Sequence, residues 1–340
     1  MKADSPPADV RRYDLHGVAL TVSSNDGGLL DAVHRRLRRF AVDGERENAV
    51  ALALDAGGAP LPSFDLADAR PVYDPPLGTV LYSERSDRLR ISYGAIDADC
   101  RPGDGRSRIV IASERENDRW AATHPILTLC LAETLRRRAL FPLHAAALSL
   151  GGRGVVIAGN SGSGKSTLTL SLLRAGFALL GDDTCFLARR SGQLRVLAFP
   201  DEIGVTDRTV RFFPELAPML RSDRVPGAPK RQLLPEDVYD VTFASETRPS
   251  VIILPRVSGE RETRIVDVSA SEALLELVPN VLLTDPRASQ EHLDALGALV
   301  SGARCCRMAT GRDLEALPER IAVLLDSALP SARAPGLATA

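Results

Sequence analysis

Residues 154–167 read GVVIAGNSGSGKST. Within them GNSGSGKS, from Gly159 to Ser166, fits the spacing G-x-x-x-x-G-K-[ST] of a loop that cradles phosphates. The apolar run Val155 to Ala158 predicts a buried strand leading into the loop, and the segment that ends at Gly176 predicts a helix leaving it. One local signal disagrees. Residues 166–173, STLTLSLL, alternate polar and apolar as a strand would. A phosphate loop must open onto a helix N-terminus, where unpaired N–H groups and the helix dipole favour an anion, so the helix is the reading taken.

Each residue of the loop has a chemical reason to be there. Gly162 and Gly164 let the backbone wrap closely around phosphate oxygens. Lys165 offers a point charge to the β- and γ-phosphates, and the Ser166 hydroxyl can ligate Mg²⁺. Gly159, Asn160, Ser161, Ser163 and Thr167 complete the candidate nucleotide site.

Working outward, FALLGDDT places Asp182 and Asp183 at the end of a strand expected over 177–181. A right-handed parallel crossover returns that strand end to the edge that carries the phosphate loop. Two carboxylates there can divide the work, one holding metal and one accepting a proton from an attacking hydroxyl. Upstream, FPLHAAALSL contributes His144, which alone is more often a satisfied core or turn residue.

Taken together, His144, the loop and the acidic pair resemble the HPr kinase/phosphorylase family, which has a nucleotide-binding core of the PEP-carboxykinase type. The match is tight over His144 to Asp183 and loose over the rest of the C-terminal part. The resemblance implies an α/β P-loop core with a smaller α+β N-terminal region. It implies that Gly159, Ser161, Gly162, Gly164, Lys165, Ser166 and Thr167 bind nucleotide and metal, that Asp183 is the base with Asp182 on the metal side, and that His144 neighbours the base. Two features depart from it. The bifunctional members continue the loop with Glu, where this chain has Thr167. Their glycine-rich, asparagine-containing phosphorylase signature is missing from 250–270, where ILPRVSGERETR offers Arg256 as a phosphate ligand instead. The chain is therefore more similar to the HPr-kinase-like tailoring kinases that phosphorylate a serine on ribosomally made peptides, such as lasso precursors. Such kinases are often oligomers, which leaves a homo-oligomer open.

Elsewhere the chain is less specific. Its 340 residues suggest about two domains: an N-terminal region over 1–105, a kinase domain over 106–328 and a disordered tail over 329–340. In the first, strands are expected over 11–23, 48–54, 79–83 and 88–93, and a basic amphipathic helix over 27–41 whose arginines form a solvated face. Pro-rich 56–78 reads as loop and 97–106 as a turn-rich break. A helix is expected over 117–140, started or kinked by Pro125. Residues 200–235 read as a lid or acceptor loop carrying Lys230 and Arg231, set against a plain surface insertion, with Phe212 and Phe213 anchoring it. Helices over 269–278, 289–301 and 313–328 and a strand over 303–308 read as scaffold, with His292 on the surface.

Composition narrows the class. Apolar residues make up 44% and charged residues 25%, which is globular. Lys plus Arg total 42 against 44 for Asp plus Glu, which argues against a nucleic-acid or membrane binder. Five scattered cysteines without a CxxC pair, no secretory leader and no membrane-length apolar run predict a cytoplasmic protein. The sequence thus points to an ATP- and Mg²⁺-dependent kinase acting on a hydroxyl, with a Ser of a peptide or small protein as the favoured acceptor. A small-metabolite kinase, and a nucleotide-gated binding protein with little kinase activity, are the alternatives.

Overall fold

The computed structural model describes residues 9–44, 46–47, 49–59, 61–73, 78–221, 228–281 and 284–328. The expected tail over 329–340 and part of the expected lid, 222–227, lie outside the described residues. In order along the chain come β1 (Asp9–Leu15), β2 (Val18–Ser24), α1 (Gly27–Leu37), β3 (Val50–Ala56), β4 (Ala69–Tyr73), β5 (Gly78–Ser83), β6 (Arg88–Tyr93), β7 (Ile96–Arg101), β8 (Arg106–Ile111), α2 (Glu116–Ala121) and α3 (Leu127–Arg136). Then follow β9 (Phe141–Leu143), β10 (Ala145–Leu150), β11 (Arg153–Ala158), α4 (Lys165–Arg174), β12 (Ala178–Gly181), β13 (Cys185–Arg190), β14 (Gln193–Leu197), β15 (Ile203–Val205) and α5 (Asp207–Val210). The last are β16 (Arg231–Leu233), β17 (Glu246–Val257), β18 (Arg264–Asp267), α6 (Ala270–Leu277), α7 (Pro286–Gly302), β19 (Arg304–Thr310) and α8 (Leu317–Ser327). The fold is mixed α/β with several sheets. No helix among the described residues is long and apolar enough to cross a membrane.

The chain divides into two units. One comprises Met1–Pro142, Gly204–Leu233 and Val281–His292; the other comprises Leu143–Ile203, Leu234–Asn280 and Leu293–Ala340. The N-terminal region therefore extends past residue 105. The reason is β8, which pairs in parallel with β3 and antiparallel with β7. The first unit is an eight-stranded mixed sheet, ordered β1-β2-β3-β8-β7-β6-β5-β4.

Two readings of this unit need correction. The stretch expected to be a break contains β7, in which Ala98, Asp99 and Cys100 are buried. Only Pro102 to Gly105 turn, with Gly105 at φ +68°, between the paired ends Arg101 and Arg106. The Pro-rich stretch likewise holds β4, an edge strand in which Pro71 is tolerated because one side of the ladder is open.

The basic helix is also more than a solvated face. Leu29, Leu30, Val33 and Leu37 are buried as expected, and Arg36 lies on the same stripe. Its guanidinium donates to the carbonyls of Thr123 (2.6 Å) and His124 (3.2 Å) and to Thr128 Oγ1 (3.0 Å). Those carbonyls belong to the turn Ala122–Ile126, which widens to π geometry around Pro125, a residue with no N–H to give. His292, expected at the surface, is 1% exposed and stacks on Phe141 at 5.5 Å.

The second unit carries the phosphate-loop stretch. Its central path runs β12-β10-β11-β17-β14-β13, with β19 on the far part of β17 and β18 on β19. Strand β10 is antiparallel to both β11 and β12. Strands β11, β17 and β19 are mutually parallel. Val155, Val156 and Ile157 of β11, and Val251, Ile252 and Ile253 of β17, are fully buried. Full burial of each such side chain contributes about 1.5–3 kcal/mol.

The helix reading of STLTLSLL holds, because α4 occupies Lys165–Arg174. The misleading alternation has a local cause: Leu168 to Leu173 are all buried, so small polar residues occupy interior positions as well. Ser171 meets that cost by donating to the Leu314 carbonyl at 2.9 Å. The helix ends in a Schellman arrangement. Phe177 N–H donates to Leu172 O (3.1 Å) and Gly176 N–H to Leu173 O (2.9 Å), with Gly176 at φ +84°.

Candidate functional site

The strand directions decide what meets at the sheet edge. Strands β11 and β12 end there, and β10, antiparallel between them, begins there: Ala145 pairs with Ala158, and Ala147 with Gly181. His144 before β10, the loop after β11 and Asp182–Asp183 after β12 therefore converge, although they lie far apart in sequence. Strand β17 ends at the same edge, because it is parallel to β11.

The loop has the backbone its glycines permit. Gly162 and Gly164 stand at φ +82° and +103°, and Gly164 is the N-cap of α4. Asn160 O accepts from Ser163 N–H at 3.1 Å and closes the turn. Asn160, Ser161 and Gly162 face solvent, which leaves the mouth of the loop open to a ligand. Ser166 and Thr167 are half-buried in the first turn of α4.

Lys165 is 8% exposed, and its Nζ donates to Gly159 O (2.5 Å) and meets His144 Nε2 (3.3 Å). The other ring nitrogen of His144, Nδ1, lies 3.4 Å from Asp183 Oδ1. With a charged Lys165, Nε2 is the acceptor in that contact, and Nδ1 is the nitrogen that faces Asp183. The result is a continuous chain from the lysine through the histidine to the second aspartate.

The two aspartates have different surroundings. Asp182 is 6% exposed and accepts a hydrogen bond from Ser166 Oγ at 2.9 Å. The Asp183 side chain is 68% exposed and leans on His144. Gly181 sets this turn: a Cβ there would stand 2.4 Å from Thr184 O and 3.0 Å from Phe199 O, both backbone atoms. Only a glycine fits between them, and the acidic pair follows directly.

The donor set at Ser166 and Asp182 is a hydroxyl and a carboxylate, both hard oxygens. That suits Mg²⁺, which binds through one or two protein oxygens and fills its remaining positions with water and substrate phosphates. Among the described residues there is no group of three or more His, Cys, Asp or Glu that could hold a metal ion.

Three further candidates have contacts of their own. Arg256 is exposed and ion-paired to Glu276 at 3.5 Å, a carboxylate that Arg307 also holds at 2.7 Å. Strand alternation accounts for this: its neighbour Val257 is the residue that abuts the loop, 3.5 Å from where a Gly164 Cβ would lie. Lys230 and Arg231 belong to the first unit. There Arg231 Nε donates to Asp207 Oδ1 at 2.8 Å, and the Lys230 stem lies against Gly204. Phe213 is buried and anchors that segment, while Phe212 is exposed.

No protein-family model and no curated protein sequence matches the chain. Among solved structures, the HPr(Ser) kinase/phosphatase from Coxiella burnetii is similar to it at 17% identity, over 54% of this chain and 93% of that one, with a TM-score of 0.26. A TM-score this low does not establish a shared fold.

Proposed function

We propose that the chain is a kinase that uses ATP and Mg²⁺ to phosphorylate a hydroxyl, the serine of a peptide or small protein being the favoured acceptor. The observation that carries this reading is the convergence of Lys165, Ser166, Asp182, Asp183 and His144 at one sheet edge, around an open glycine-rich loop. The resemblance in residue pattern over His144–Asp183 points the same way.

Each residue then has a task. The loop N–H groups and the start of α4 hold the phosphates. Lys165 exchanges its bonds to Gly159 O and His144 for the oxygens of the transferring phosphate. Ser166 and Asp182 would hold Mg²⁺, which supplies charge neutralisation between the phosphates. Asp183, exposed to an incoming acceptor, takes the hydroxyl proton as the acceptor oxygen bonds to phosphorus and the bond to the ADP oxygen breaks. His144 orients Asp183 through Nδ1. The net charge of -2 favours a peptide or small protein over nucleic acid as the acceptor class.

The test is transfer of labelled γ-phosphate from ATP to a set of serine peptides and to a metabolite mixture, each with wild type and Lys165→Met. Label on a peptide that disappears with Lys165→Met and with a Ser→Ala peptide supports the reading. Label confined to a metabolite changes the acceptor. Nucleotide binding without label on any acceptor overturns the kinase assignment.

A further inference from the structure

Strands β17 and β19 run parallel to β11 and pair as far as Val257 and Thr310, so the loops after them leave the same sheet edge as the phosphate loop. Between those two loops lies a cleft of about 590 Å³, lined by Gly259, Arg261, Arg312 and Asp313. Its walls are fixed. Ser258 N–H and Oγ both donate to Thr310 O at 3.0 Å, and Arg312 N–H donates to Arg261 O at 3.2 Å. Gly311 crosses so close to the other loop that a Cβ there would stand 2.6 Å from the carbonyl carbon of Glu262.

The charges in the cleft do not cancel. The Asp313 carboxylate is committed, accepting from Thr263 N–H (2.9 Å) and Oγ1 (2.6 Å) and pairing with Arg320 at 3.1 Å. Arg261 and Arg312 are exposed, and among the described residues neither guanidinium is paired with a carboxylate. Other arginines of this unit are paired, as Arg304 is with Asp267 and Arg153 with Asp326. Two uncommitted guanidinium groups on a braced cleft make a site for an oxyanion, since each presents planar paired donors.

We infer that Arg261 and Arg312 bind a carboxylate of the acceptor, so that the acceptor is an acidic peptide segment. The inference rests on the proposed kinase reading in one respect: the phosphate loop and Lys165 already serve the nucleotide, so the anion that needs a second site at this edge is the acceptor's. An inorganic phosphate would satisfy the same donors, and the experiment separates the two.

The experiment is fluorescence anisotropy without nucleotide. Two labelled serine peptides are compared, identical except for three Glu in one and three Gln in the other. The proteins are wild type, Arg261→Gln/Arg312→Gln, and Arg312→Glu. The expected result is about tenfold tighter binding of the acidic peptide by wild type, the effect of one or two charge-assisted contacts. That preference should vanish in the double variant and in Arg312→Glu, and weaken at high salt. Equal affinity for the two peptides, or a preference that survives the double variant, overturns the inference. So does inorganic phosphate that raises the wild-type melting temperature through these arginines while the acidic peptide fails to bind. Because no phosphoryl transfer is read, failure here is distinct from failure of the kinase assignment.

Discussion

Replacing the two aspartates one at a time separates their roles. Asp183 is 68% exposed and touches His144 at 3.4 Å, so Asp183→Asn removes an exposed pair worth less than about 1 kcal/mol. For a chain of this size the melting point should move by no more than about 4 °C. Under the proposed reading, loss of the base costs roughly 10²- to 10⁴-fold in rate, or about 3–5 kcal/mol of barrier. The chemical effect therefore exceeds the structural one several-fold, and the two cannot be confused. Asp182 is buried against Ser166, so Asp182→Asn should act on the metal side and raise the Mg²⁺ concentration needed for half-maximal transfer. The assay is initial-rate phosphoryl transfer over a Mg²⁺ titration, with melting curves and nucleotide binding measured on the same preparations. If Asp183→Asn keeps kcat within about threefold of wild type, or if both variants shift the Mg²⁺ dependence equally, the division of labour argued here is wrong.

Two other outcomes follow from the packing. Gly181→Ala forces a Cβ against two backbone carbonyls and should cost about 1–3 kcal/mol in denaturant unfolding, with transfer lost because both aspartates are displaced. His292 is buried, and burial, then the nearby Arg136 charge, push its pKa from 6.5 down to about 3. The unfolded chain therefore binds a proton that the folded chain refuses. The stability His292 lends is complete above about pH 6.5 and is lost as the pH falls towards 3, at up to about 1.4 kcal/mol per pH unit. His292→Phe should flatten that slope in urea melts between pH 6.5 and 4; an unchanged slope would refute the assignment.

The parts of the site legible in the sequence are those set by short-range chemistry. The candidate phosphate loop stands out because its glycine spacing, lysine and serine all suit one kind of ligand, and the strand before it and helix after it agree. The acidic pair and His144 could be named from their pattern, but not their geometry. That depends on β10 lying between β11 and β12, a long-range pairing that no local period encodes. Which residue of β17 abuts the loop was not legible, because strand parity decides it and sets Val257 rather than Arg256 beside Gly164. The edge strand β4 was hidden by Pro71, and β7 by the acidic residues that alternate along it. For two buried polar residues a signal was present. His292 continues the buried stripe of Ala288, Ala295, Leu296 and Leu299, and Arg36 that of Leu29, Val33 and Leu37. Residue type argued for the surface, and register argued correctly for the interior.

The central claim is that residues 159–167 hold nucleotide phosphates. Isothermal titration of ATP with Mg²⁺ into wild type and into Lys165→Ala tests it most directly. Saturable binding by wild type, weakened at least about tenfold in the variant, is the predicted result. Absence of binding, or equal binding by both proteins, would contradict it.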